Sequence, residues 1–266
     1  MFSFSLFINL LAISFAYAAK KLTRSGAIAA LGVGTLFMYL GGFVSWLLLI
    51  MLLVSSTIIE TGSLLFRLKS PNRRSSPGEE THGRSAFQVL ANSLLALGCL
   101  LLYWSNQEIT YYYLMVIAIA GSTADTWASE IGILSQQMPI SILTGKKMPP
   151  GKSGGVTRLG LVASFIGAGF ISLLAVLFSN QVTIYQFIPL MLLGGLCSLI
   201  DSLLGLTIQE VYKDSETGLE HEQLPKGSES ARYVRIKGLA GIDNSAVNFL
   251  SDLLTLMISW SFFCLF

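Results

Sequence analysis

Charge is what this sequence has least of. Only 12% of its 266 residues are Asp, Glu, Lys or Arg, against roughly 25% in soluble domains. That is too little to wet the surface of a soluble globule of this length. The 53% hydrophobic content and mean hydropathy of +0.65 exclude a disordered chain as well. A net charge of +2 gives no pull on a polyanion, so a nucleic-acid partner is excluded too. Cysteine is scarce. Cys99, Cys197 and Cys264 lie far apart in apolar stretches with no CxxC spacing, which excludes a disulfide scaffold and a thiolate metal centre. Of the two histidines, His82 and His221, neither has partners at metal-ligand spacing.

Long apolar runs are what the chain does have. A helix needs roughly 20 apolar residues to cross a bilayer, and the runs predict an all-α, polytopic membrane helix bundle forming a single domain over 1–266. Spans are expected at Phe2–Ala19, twice between Gly26 and Phe66 with a break near Gly41-Gly42, and at Gln88–Trp104, Tyr111–Leu134, Leu159–Phe178, Phe187–Gln209 and Ala246–Phe266, eight in all. The first run could be read as a signal peptide, with Ala16-Tyr17-Ala18-Ala19 as a cleavage site. No basic residue precedes it and Lys20 and Lys21 follow it, which favours a retained helix. All 17 Lys and Arg fall in alternate loops, near 20–25, 67–87, 136–158 and 213–243; the other loops have none. The positive-inside rule then puts these four loops in the cytosol and both termini outside. Integral residence in the cell membrane of a prokaryote, with any active site facing the cytosol, is the expected location.

Acidic residues inside membrane helices cost about 2.5–3.5 kcal/mol each on insertion scales and so mark functional interiors. Ser122, Asp125 and Ser129 share one face of the fifth span, while Glu130 lies roughly 140° round from Asp125. The two carboxylates share a site only if the helix kinks or a neighbour closes round it. Gly194, Ser198, Asp201, Gly205 and Gln209 form a small and polar stripe on the seventh span. Asn244, Asn248, Asp252 and Thr255 form another on the eighth, with Asp243 at its entrance. Gln88 and Asn92 lie one turn apart on the fourth. Some of these are interhelical glue, as the small stripe Ser164, Ala168, Ser172 is ordinary packing. Glu60 and Glu108 read as solvated residues at membrane edges.

Between Thr144 and Thr157 lies a loop of glycines, lysines and two prolines in which Gly151-Lys152-Ser153 has the look of a Walker loop. The first glycine of that motif would fall at Lys146, and no strand precedes it, so it is not a P-loop. It still favours anions, because successive glycines turn N–H groups inward beside lysines. Acidic helix faces meeting such a loop suit a divalent metal carrying a phosphate-rich substrate, and magnesium fits best.

Several segments resemble the transmembrane protein 19 family, which includes the plant phytyl-phosphate kinase. They are Lys21-Leu22-Thr23-Arg24-Ser25-Gly26-Ala27, Gly121-Ser122 with Asp125-Thr126-Trp127-Ala128-Ser129-Glu130-Ile131-Gly132, and Pro150-Gly151 with Gly154-Gly155-Val156-Thr157. Asp201-Ser202 with Gly205, Thr207 and Gln209 follows, then Gly241 with Asp243-Asn244 and Ala246-Val247-Asn248. The chain departs from the pattern at Lys152-Ser153, where Thr-Asn is expected, and at Ser245, where a second Asn is usual. The resemblance implies a membrane kinase that moves the γ-phosphate of CTP to an isoprenoid (phytyl or prenyl) monophosphate. On that reading Asp125 and Asp201 hold magnesium, with Glu130 and Asp243 as further catalytic carboxylates. Gly154 and Gly155 present amides to the nucleotide phosphates, Lys146 or Lys152 neutralises them, and Asn244 and Asn248 orient water or acceptor. Arg24 and Arg84 clamp the lipid phosphate. A lipid-phosphate or small-anion transporter with an intramembrane carboxylate site is the alternative.

Overall fold

The computed structural model describes residues 2–69, 83–222 and 232–265. Arg73, Arg74, His82 and Lys226 lie outside these residues. The described chain is mostly helical: α1 (Phe2–Ala18), α2 (Arg24–Lys69), α3 (Ala86–Ala91), α4 (Leu94–Asn106), α5 (Ile109–Gly132), α6 (Arg158–Phe178), α7 (Phe187–Thr207) and α8 (Asn244–Leu265). Four segments are long and apolar enough to cross a membrane by length and composition: Arg24–Arg67, Arg158–Phe178, Ile184–Thr207 and Asn244–Leu265.

Helix α2 is a hairpin. A straight helix of its 46 residues would run about 70 Å, yet Lys21 Nζ donates to Thr61 Oγ1 at 2.9 Å. The chain reverses at Gly42, whose φ of 71° and ψ of −169° lie in a region that essentially only glycine occupies. The expected break near Gly41-Gly42 is therefore real.

The fourth predicted span is not one helix. Ser85 opens α3 with a capping box, its backbone N–H donating to Gln88 Oε1 at 2.9 Å, and α3 stops at Ala91. The interruption leaves the Asn92 carbonyl outside a continuous helical ladder, where it accepts from Ser122 Oγ at 3.2 Å. An apolar pattern that runs straight through Asn92-Ser93 hides this break.

Helix α5 is the hub, packed against α2, α4, α6, α7 and α8. Every residue from Leu114 to Ala124 is buried, as expected of a helix enclosed on all sides. Small residues allow the close approach: a Cβ on Gly194 would come within 2.8 Å of Ala120, and one on Gly121 within 2.9 Å of both Cys197 and Asp252. The stripe Ser164, Ala168, Ser172 on α6 is fully buried, an ordinary packing face. Outward, Phe15, Ile28 and Leu177 are more than 60% exposed, apolar surface suited to lipid.

Five short strands depart from the all-α expectation. β1 (Ile140–Ser141) pairs antiparallel with β2 (Gly155–Val156), and β3 (Val211–Asp214) is flanked by β4 (Glu220–His221) and β5 (Tyr233–Lys237). Most are too short to show an alternating pattern. They gather at one end of the bundle, where the basic loops meet: Arg84 N donates to the Lys21 carbonyl and Lys152 pairs with Glu220.

The Gly42 turn and the interior glycine Gly62 both have open space around a new Cβ, so their substitutions separate backbone strain from crowding. Gly42→Val is expected to destabilise by about 1–3 kcal/mol, and Gly62→Ala to stabilise by up to about 1 kcal/mol. Thermal unfolding of detergent-solubilised protein measures both; equal effects would remove the strained turn.

Candidate functional site

The end where the basic loops meet holds a cleft of about 740 Å³, walled by α3, α5, α7, α8 and the loop before α6. Two carboxylates from different helices, Asp125 on α5 and Asp201 on α7, both line it. Asp201 accepts from Ser251 Oγ at 3.2 Å, whereas Asp125 accepts no hydrogen bond from any described residue. Asn248 stands between Asn92 (3.3 Å) and Asp201 (3.2 Å), so its amide orientation decides which one it serves. With the second orientation it also donates to the Asn244 carbonyl at 2.8 Å. Asn244 lines the cleft beside it.

A third carboxylate lies behind the pair. Asp252 on α8 is 3% exposed and accepts from Ser122 Oγ at 2.8 Å and Cys197 Sγ at 3.1 Å. It is not part of the cleft lining. Its signal in the sequence was its place on the Asn248–Thr255 stripe.

The glycine-lysine loop forms one wall. Gly154 has a φ of +85°, and a Cβ there would run into Leu206 and reach the Ser202 carbonyl at 3.0 Å, so this glycine lets the loop lie on α7. The Gly155 N–H closes onto the Lys152 carbonyl at 3.3 Å. The amide directed across the cleft is that of Ser153, which donates to Glu222 Oε1 at 2.7 Å while its hydroxyl donates to Oε2 at 2.6 Å. Buried Gln209 adds a third donor to Glu222 at 3.2 Å. Next to it Lys152 bonds Glu220 at 2.5 Å and holds that carboxyl below its ordinary range. Three donors of the loop, joined by Gln209 from just beyond α7, thus hold carboxylates of the same chain. Glu222 carries no sequence signal, since it sits in a polar loop remote from every motif.

Another part of the lining pairs arginines with carboxylates. Arg67 and Arg84 line the cleft together with Glu60 and Glu130. Burial pushes the Arg84 guanidinium below its ordinary value, and the Glu60 and Glu130 carboxylates oppose that shift. Glu60 is half-buried and lines the cleft. The cleft wraps round the end of α5, which is how Glu130 and Asp125 come to share it despite their angular separation.

Three candidates from the sequence lie elsewhere. Asp243 caps α8, its Oδ1 accepting from the Ala246 N–H at 2.9 Å, and does not line the cleft. Lys146 is exposed in the turn between β1 and β2. Arg24 is exposed, with its Nε 3.4 Å from the Tyr17 hydroxyl. Lys152, Gly154, Gly155, Asn244 and Asn248 all line the cleft.

Among the described residues no group of three or more His, Cys, Asp and Glu side chains could hold a metal ion. A magnesium ion takes one or two carboxylates and leaves its other positions to phosphate and water. Asp125 and Asp201 are two carboxylates in the cleft lining that could serve as such ligands.

A helical, integral membrane protein with a charged cleft at one end is the class these features define. Residues 7–256 match the family described as integral membrane protein DUF92, and the chain belongs to this family, the one to which the motif resemblance pointed. It is similar to Protein PGR of Arabidopsis thaliana, with 32% identity covering 95% of this chain and 92% of that protein. It is also similar to an uncharacterized membrane protein, MJ0933, of Methanocaldococcus jannaschii, with 30% identity over 70% of this chain and 74% of the relative. The family is thus found in a plant as well as an archaeon. No solved structure matches the chain.

A polyanion that takes up the Ser153 donors must displace Glu222. Glu222→Ala is therefore expected to tighten binding of pyrophosphate about tenfold, one charge-assisted hydrogen bond's worth. Calorimetry on purified protein measures it, and an unchanged or weaker affinity would mean that these donors do not receive anions.

Proposed function

We propose that this chain is a membrane kinase that transfers the γ-phosphate of CTP to an isoprenoid monophosphate, giving the diphosphate and CDP. The observation that supports this reading is a single cleft lined by the Asp125–Asp201 pair, by the loop at Lys152 and Ser153 and by Arg67 and Arg84. Two phosphate groups held by the loop and by the arginines would meet in the chamber that the carboxylates line. The specific donor and acceptor rest on the family resemblance, and the geometry supports phosphoryl transfer as the class.

In the proposed reaction the triphosphate lies along the glycine-lysine loop, accepting from the Ser153 amide and hydroxyl in place of Glu222, with Lys152 beside it. Arg84 and Arg67 hold the acceptor phosphate. One acceptor oxygen attacks the γ-phosphorus in line, the bond to the β–γ bridging oxygen breaks, and CDP carries away that electron pair. The acceptor is a phosphate anion, so no proton has to be removed from it and no general base is required. Asp125 and Asp201 would hold magnesium, which would supply neutralisation of the charge shared between donor and acceptor phosphates. Asn248 fixes the Asp201 side chain.

The positive-inside rule assigns the cleft to the cytosol, with eight crossings and both termini outside, as we propose for this chain. Passage across the membrane is less well supported than transfer at one face. Met115, Val116, Ile117, Ile119 and Ala120 on the hub helix are inaccessible, which puts packed apolar core beyond the cleft.

Purified protein with magnesium, radiolabelled CTP and a panel of prenyl monophosphates tests the reading directly. Asp125→Asn and Asp201→Asn are each expected to lower turnover on the order of 10²–10³-fold, from loss of several kcal/mol of charge stabilisation, while leaving monodispersity intact. Wild-type turnover in either variant removes that residue from the site. Absence of any transfer, with lipid-phosphate transport in liposomes, would replace the kinase by the transporter.

A further inference from the structure

A second, apolar cavity joins the cleft. This slot, about 50 Å³, is walled by the two arms of the α2 hairpin, through Ala30, Val33, Leu49 and Leu53, with Val89 of α3 and Ile13 of α1 closing it. Arg84, Gln88 and Asn92 line both it and the polar cleft. The junction between a charged chamber and an apolar one is thus made by a partly desolvated guanidinium.

That junction is built rather than incidental. The Arg84 backbone is held on both sides by the first loop: its N–H donates to the Lys21 carbonyl at 2.9 Å, and its carbonyl accepts from the Thr23 N–H at 3.1 Å. Gly26 packs directly against the same carbonyl, leaving no room for a Cβ. The hairpin that forms the slot therefore also fixes the cation at its mouth. A half-buried cation facing a polar chamber calls for an anion, and a narrow apolar slot beside it calls for a hydrocarbon chain continuous with that anion.

We propose that this slot is the tail site of a single-chain lipid monophosphate, its phosphate at Arg84 and the first part of its chain between the arms of α2. A diacyl phosphatidic acid has two chains leaving one headgroup, and a slot of about 50 Å³ takes only part of one. The proposal deepens the kinase reading and rests on it for the acceptor role, but it concerns binding and is testable without nucleotide.

Binding of farnesyl monophosphate, inorganic phosphate and dioleoyl phosphatidic acid to the full-length protein in detergent, with no CTP present, provides the test. Ala30→Phe fills the slot at a half-buried helical position and is expected to weaken farnesyl monophosphate at least tenfold while leaving inorganic phosphate unchanged. Arg84→Gln is expected to weaken both. On the wild type, a farnesyl monophosphate bearing a diazirine on its first isoprene unit, next to the phosphate, should label residues 30–53, which needs no variant to fold. Label confined to other helices, unchanged farnesyl monophosphate affinity in a monodisperse Ala30→Phe protein, or equal affinity for phosphatidic acid would overturn the tail site. Tail-site binding as described with no CTP-dependent transfer would sink the kinase reading alone. Transfer with the label elsewhere would sink the slot alone.

Discussion

A carboxylate enclosed in a bundle of apolar helices must be met by donors, a cation or a shared proton, and this constraint organises the rest of the molecule. Asp125, Asp201 and Asp252 come from three different helices that converge at the hub. Asp252, furthest from solvent, is supplied by a hydroxyl and a thiol, Ser122 and Cys197. Asp201 has Ser251, itself one residue from Asp252 on α8. Asp125 has no such partner and faces the cleft. The gradient from supplied to unsupplied carboxylate runs outward from the core, so the free capacity to bind a cation lies where a ligand can reach it. Placing these groups inside requires α5 to be covered all round, and small residues such as Gly121 and Gly194 bring the covering helices near enough.

The loops then decide what the cleft can recognise. Glu222 shows that the Ser153 region binds an anion, because it already binds one: a carboxylate held by an amide, a hydroxyl and a buried side-chain amide. A carboxylate and a phosphate share acceptor chemistry and charge sign, and differ in the number of oxygens and in net charge. The same donors therefore favour a polyphosphate over Glu222 once a divalent cation supports the added charge. The part of the lining that holds Arg67 and Arg84 is different in kind. Its arginines are accompanied by Glu60 and Glu130, which keep it near neutrality until a second anion arrives, and so tune it for a less charged group than the loop wall.

Much of this was legible. Hydropathy placed α6, α7 and α8 to within a few residues, because an apolar span is written in composition over some twenty positions and survives local errors. The alternation of Lys and Arg foretold that four loops gather at one end. Asp125, Asp201, Lys152 and Gly154 stood out as costly or punctuating residues in conspicuous surroundings. The losses were local or long-range. Asp243 near a helix start resembles a site residue and is a cap, since capping and catalysis draw on the same side chain. The break at Asn92 depends on Ser122, thirty residues away, taking its carbonyl. Glu222 reaches the site only because β3 and β4 turn the chain back, and two-residue strands leave no pattern to read.

The first loop illustrates how a correct motif can point to the wrong atom. Lys21 to Ala27 matches the family pattern, and Arg24 is the residue there that a phosphate invites. Arg24 is exposed and turned toward Tyr17. What the loop contributes is backbone: the Lys21 carbonyl and Thr23 N–H grip Arg84, Gly26 makes room for its carbonyl, and Lys21 Nζ ties the two arms of α2 through Thr61. Those functions demand a glycine at 26 and a polar side chain at 21, and they are indifferent to the charge at 24. A guanidinium gains most as an anion receptor when it is held rigid and partly desolvated, since water then competes less. The loop supplies that rigidity to an arginine sixty residues further along the chain, while the exposed arginine within it remains in water.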